Sequence, residues 1–131
     1  MLAGVAVFVG GPASAGGNPP RVDYMLHCMG CHRDDGGGLA GEVPQLKGFV
    51  GRFLYVEGGR EYLVQVPGVA QAALDDAALA GVLNWMLETF SPAELPADFV
   101  PYSGEEVSRY RRDKLIDVSG RRKVLVGRMP D

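Results

Sequence analysis

The chain has 131 residues, of which 47% are apolar and 22% charged, a size and composition that fit one globular domain and exclude a disordered tail. A net charge of −3 excludes a chain built as a whole to grip a polyanion, and no apolar run reaches the roughly 20 residues needed to span a bilayer. The 19 glycines and 9 prolines predict long irregular stretches, and with only two cysteines and two histidines any metal site made of side chains alone is small.

Residues 1–15 carry no charged side chain. An apolar stretch from Leu2 to Val9 leads into small residues, and Ala13-Ser14-Ala15 fits the small-x-small cleavage pattern of a secretory signal, here without the usual basic start. A signal peptide over 1–15 and export to the periplasm are expected, with a mature chain beginning near Gly16; the alternative is a buried N-terminal strand. Asn18-Pro19-Pro20 then reads as a helix start, with Asn18 as the cap and proline in the first turn. The short helix runs through Tyr24 into the next segment.

His27-Cys28-Met29-Gly30-Cys31-His32 contains C-x-x-C-H, the c-type haem attachment pattern. Two thiols three positions apart on one turn can each form a thioether to a haem vinyl group, and the adjacent His32 then supplies the proximal nitrogen to the iron. A thioredoxin-like pair needs a βαβ setting, which is not visible here. A structural zinc site needs about four ligands, and only His27 remains, next to Cys28. A disulfide across two residues is sterically poor. The cofactor expected is therefore one haem c, covalent through Cys28 and Cys31. His27 reads as a solvated neighbour of the turn, so catalysis by the chain alone is not expected.

Asp34 to Gly41 is a flexible glycine-rich loop. Beyond it, 12 residues after His32, Pro44 to Arg52 reads P-x-L-x-G-x-x-G-R. With this segment the chain resembles the class I monohaem cytochromes c over about residues 18–90. The resemblance implies an all-α, cytochrome c-like fold of three to five short helices around one covalent haem. It also implies that the Pro44 carbonyl accepts the Nδ1 hydrogen of His32, a bond that fixes the ring and makes the ligand more basic. Leu46 would pack on the haem face, and Arg52 would meet a propionate, where a guanidinium suits a carboxylate. Tyr24 stands four residues before Cys28, where the family places an aromatic, and Pro20 stands where it usually has a glycine.

Phe53 to Tyr55 predicts a helical turn, Gly58-Gly59 a break, and Arg60 to Val66 a helix ended by Pro67-Gly68. Asp75 is a candidate cap for a longer helix whose apolar positions, Leu79, Val82, Leu83, Met86, Leu87 and Phe90, make one helical stripe. Pro92 ends it. This resembles the family's C-terminal helix, with Trp85 at the usual aromatic. The family's distal methionine, commonly followed by proline, stands some 18 or 19 residues before that aromatic; here Val66-Pro67 occupies the place, 19 residues before Trp85. Valine cannot ligate iron. The sixth ligand is thus unassigned, with Met129 and Met86 as weak candidates. Met86 reads rather as a core residue, Gln65 and Gln71 are weak amide ligands, and Met25 and Met29 flank the attachment turn. Met1 should leave with the signal. A methionine–histidine pair raises the potential; an open site would admit carbon monoxide, nitric oxide, oxygen or peroxide.

Residues 93–131 extend beyond a minimal cytochrome domain of 16–92. Pro92, Pro96 and Pro101 predict an extended path over Ser91 to Tyr102. Ser103-Gly104-Glu105-Glu106 has the capping-box pattern, with the Glu106 carboxylate returning to the Ser103 amide, and a helix to about Asp113 follows. Val124 to Val126 is expected to form a short strand or to pack down. From Ser103 onward eight Lys or Arg face five Asp or Glu, a net +3, leaving −6 on the rest. This tail is expected to pack on the chain's own acidic body; docking to an acidic redox partner is the alternative.

The function expected is single-electron transfer in the periplasm between redox protein partners, such as a dehydrogenase or a membrane electron-transfer complex. The chain is expected not to be an enzyme itself, not to bind nucleic acid, and not to be transmembrane after signal removal. The alternatives are a five-coordinate haem protein that binds a small ligand and the haem subunit of a periplasmic dehydrogenase.

Overall fold

The computed structural model describes residues 17–131, so the expected signal segment 1–15 lies outside the described residues. Six α-helices and two 3-10 turns follow one another without a β-strand among the described residues; Leu39 and Val43 form a lone bridge. The all-α class is as expected. The helix number exceeds the expected three to five because Pro67 opens a helix of its own and the extension contributes two.

Helix α1 (Pro20–His27) starts on Pro20, whose fixed φ suits the first helical position. Asn18 does not cap it: Pro19 holds the cap position, and the Asn18 amide donates to the buried Asp23 carboxylate at 3.0 Å. A 3-10 turn (Val50–Tyr55) precedes α2 (Gly59–Gln65). A Cβ on Gly59 would run into the Phe53 carbonyl, so glycine is needed for that close approach. Val66 is extended (φ −57°, ψ 136°), as a residue before proline prefers, and Pro67 then starts the one-turn α3 (Pro67–Ala70). Pro67-Gly68 therefore both ends one helix and begins another.

Helix α4 (Asp76–Phe90) is the longest, and Asp75 caps it by accepting from the Ala78 amide at 2.7 Å. Its whole predicted stripe is buried, from Leu79 to Phe90. Helix α1 crosses α4 with the Pro20 ring near Gly81, so the small residue at this crossing comes from α4 instead of α1. Among the described residues no helix is long and apolar enough to cross a membrane.

The extension departs from expectation in two ways, and of the two alternatives for Val124 to Val126 it takes packing down, within a helix, over a strand. Pro92–Glu94 is a 3-10 turn, not extended chain. In α5 (Gly104–Tyr110) the Ser103 hydroxyl accepts from the Glu106 amide at 3.2 Å, but the Glu106 carboxylate does not return to Ser103. It takes the Arg60 guanidinium instead, through two bonds of 2.7 Å. Two bonds between opposite charges outweigh one bond from the carboxylate to an uncharged amide. Finally, Val124 to Val126 belongs to α6 (Val118–Gly127), whose Asp117 cap accepts from Gly120 at 2.9 Å and whose Leu125 is fully buried. Tertiary packing overrides the strand preference of the two valines. Tyr102, Val107 and Leu125 lie in the same apolar cluster as the α4 stripe.

Arg60 is held three ways: by Glu106, over the Tyr102 ring at 4.1 Å, and by its own carbonyl, which accepts from the Tyr102 hydroxyl at 2.7 Å. Glu106→Ala should therefore lower the unfolding free energy by about 2 kcal/mol, because it strands a largely buried guanidinium, and Tyr102→Phe by about 1 kcal/mol. Urea unfolding of the holo-protein measures both.

Candidate haem-attachment site

Cys28 ends α1, its amide bonded to the Tyr24 carbonyl at 2.9 Å. The amides of Cys31 and His32 both bond back to the Cys28 carbonyl, at 3.2 and 2.9 Å. Two free thiols thus share one tight turn, Cys28 half-buried and Cys31 exposed. Burial, then the Asp23 carboxylate and Cys31, push the Cys28 thiol up in pKa.

Tyr24 closes this turn from beneath. Its ring is 1% exposed and packs against Trp85 and Phe90, both at 5.2 Å between centroids. Its hydroxyl faces the carbonyls of His32 at 2.9 Å and Arg33 at 2.7 Å, one proton shared between two acceptors. Burial, followed by the negative charges of Cys28, Asp35 and Asp34, pushes the phenol up to about 12, so it remains a donor at any physiological pH.

The His32 ring is half-buried, and its Nδ1 is closed off from solvent without a hydrogen bond of full geometry. The Pro44 carbonyl nevertheless lies near enough to raise the ring's proton affinity. Burial is the larger effect and lowers the pKa, which keeps the imidazole neutral at neutral pH. A neutral ring with Nδ1 turned to a carbonyl presents its Nε2 lone pair to a metal.

The segment carrying Pro44 and Leu46 is pinned to the end of α4. The amides of Leu46 and Lys47 donate to the Gly36 carbonyl at 2.9 and 3.0 Å, and the Gly48 amide to the Phe90 carbonyl at 2.8 Å. Gly36 has φ +74°, and a Cβ there would lie 2.6 Å from the Phe90 ring, so this loop requires glycine twice over. The fully buried Ser91 hydroxyl accepts from the Gly51 amide at 3.0 Å and donates to Glu94 at 2.9 Å. Leu46 is half-buried against the core. Arg52 gives one donor to the Pro130 carbonyl at 2.8 Å and lies 5.4 Å from the centre of the Phe49 ring.

The segment around Val66, residues 60–75, contains no methionine. Met86 is in the core at 7% exposure, and Met129 is half-buried just past the end of α6, next to the Pro130 that Arg52 holds. Among the described residues no cluster of three or more His, Cys, Asp or Glu side chains could hold a bare ion. The donor set is two thiols and a neutral imidazole on one turn, with the orphaned Nδ1 aimed toward a carbonyl, and that set fits a haem.

Two cytochromes c-552 from Thermus thermophilus are similar to this chain. One is 32% identical over 127 residues, covering 83% of this chain and 84% of the relative. The other is 35% identical over 106 residues, covering 67% and 81%. The chain belongs to the class I c-type cytochromes. No protein-family model matches it. As a cytochrome c it is a haem c electron carrier.

Sequence reasoning placed an aromatic at Tyr24 but missed its hydroxyl, which no local pattern announces. It also missed Gly36 and Ser91, whose partners are distant in the chain. Tyr24→Phe in this cytochrome should cost about 1 kcal/mol by removing the donor to two carbonyls. The sign of its pH dependence follows from the raised phenol. The bond contributes fully below the ordinary tyrosine value of 10.0 and is lost as pH rises through about 12. Denaturant unfolding across that window should show the wild type losing its advantage over Tyr24→Phe.

Proposed function

We propose that this cytochrome is exported and carries single electrons between redox protein partners, such as a periplasmic dehydrogenase or a membrane electron-transfer complex. The observation that carries the reading is the turn itself: Cys28, Cys31 and a neutral His32 held together by the buried Tyr24 hydroxyl. Export is supported by the uncharged apolar start and by Ala13-Ser14-Ala15.

When bound, the haem supplies a one-electron iron couple. Cys28 and Cys31 fix the group covalently. His32 would provide the proximal nitrogen, oriented by the Pro44 carbonyl near its Nδ1. Leu46 would pack on the group and exclude water. The bond from Arg52 to Pro130 uses one of five guanidinium donors and leaves the others for a propionate. The tie of the Pro44 to Arg52 segment onto Phe90 and Ser91 would keep these groups in place through the redox cycle.

The partner-facing charge is narrower than the sequence suggests. Arg111, and Arg60 in the body, are spent on internal contacts, whereas Arg109, Arg112, Lys114, Lys123 and Arg128 are exposed. Those five would raise the encounter rate with an acidic partner.

A second reading has its own observation. The resemblance puts Val66 at the distal-ligand position and no methionine lies between residues 60 and 75; unless Met129 or Met86 served instead, the sixth position of a bound haem would admit a small ligand.

Two measurements test these readings. Haem should stay with the wild-type polypeptide on denaturation and be lost from a Cys28→Ala, Cys31→Ala variant. Carbon monoxide should alter the spectrum of the reduced holo-protein, because Val66 supplies no ligand. Fast electron exchange with a chemical reductant alongside that change supports the carrier; exchange too slow for turnover overturns it and leaves the ligand-binding protein.

A further inference from the structure

Helix α3 has only four residues, far too few to be stable alone. Its last carbonyl, that of Ala70, and two that follow it meet a single side chain from the extension. Arg111, at the C-terminal end of α5, donates Nε and Nη2 to the Ala70 carbonyl at 3.2 and 3.1 Å. Nη2 also reaches the Ala72 carbonyl at 2.9 Å, and Nη1 reaches the Leu74 carbonyl at 2.9 Å and the Asp76 carboxylate at 3.0 Å. One guanidinium, 17% exposed, thereby satisfies three backbone carbonyls between α3 and α4 and the first acidic residue of α4. A planar fork can do this; an ammonium cannot.

The clamp reaches Val66 through the backbone. The amides of Val69 and Ala70 both donate to the Val66 carbonyl at 2.9 Å, so Ala70 is bonded to Val66 on one side and to Arg111 on the other. Val66, Val69, Ala72 and Leu74 all pack on the core from this segment. We infer that Arg111 is a positioning residue for the haem site: the extension, through this one guanidinium, holds Val66 to Leu74 in place and so sets how firmly that segment can present or deny a sixth iron ligand. The inference rests on the reading of Val66 as the distal-ligand position.

The test uses the holo-protein with a methionine installed at that position. Val66→Met should give the ferric protein a thioether-to-iron charge-transfer band, and imidazole titration then measures how tightly the segment holds its ligand. Adding Arg111→Ala should raise the apparent imidazole affinity about tenfold, the equivalent of losing roughly one charge-assisted hydrogen bond. Free guanidinium, far below denaturing concentration, should restore it. Arg111→Lys keeps the charge but not the fork, so it should also raise imidazole affinity, and guanidinium should not rescue it; this variant carries the test if Arg111→Ala fails to fold. Hydrogen exchange at the Val69, Ala70 and Gln71 amides should quicken in parallel. A band in Val66→Met with equal imidazole affinity in the presence and absence of Arg111 overturns the clamp while sparing the reading of Val66, even if overall stability falls. No band in Val66→Met overturns the reading of Val66 and the inference with it.

Discussion

The Tyr24 side chain joins the core of this protein to its chemistry. Its ring fills the crossing of α1 and α4 against Trp85 and Phe90, and its hydroxyl holds the carbonyls of the turn that ends in His32. A phenylalanine could fill the crossing, but it could not hold the turn. Because the same residue is buried and bonded, the place of the thiols and imidazole is fixed relative to α4, not only to their own loop. Phe90 extends the arrangement, since its ring lies under Gly36 and its carbonyl binds Gly48. Both arms of the site, the attachment turn and the Pro44 segment, thus hang from the end of one helix.

What could be read from the sequence was what is local. C-x-x-C-H places three reactive groups on one turn whatever surrounds it. Asp75 and Ser103 announce their helices because a cap acts within three residues. The apolar steps of α4 announce its buried face. What could not be read is where a distant partner outbids a local one. Glu106 has the spacing of a capping box, yet Arg60, 46 residues away, takes its carboxylate. The valines around Leu125 favour a strand, yet burial of Leu125 in a core built by other helices makes them helical. Arg111 looked like one cation in a basic run; its four partners lie 35 to 41 residues earlier, and nothing near it in the chain points to them.

The basic extension also shows why net charge is a poor guide to what a tail does. A +3 segment beside a −6 body suggests attraction spread over many pairs. The structure instead concentrates the contact in two guanidinium groups, Arg60 from the body and Arg111 from the tail, each largely shielded from solvent and each making several bonds. Exposed pairs are worth little in water, so the remaining cations contribute to encounter and solubility more than to folding.

The two ends of the site are held by different means. On the His32 side, short loops are tied by backbone bonds to α4, and glycine at Gly36 lets them approach closely. On the Val66 side, a helix too short to stand is held from outside by a side chain. The first arrangement has several ties, from the Tyr24 and Ser91 hydroxyls as well as from the backbone, so no single change releases it. The second can be loosened at one residue. With Val66 read as the distal position and Arg111 as the clamp on its segment, as proposed above, one distant guanidinium would govern access on that face of a bound haem while the His32 side stayed fixed.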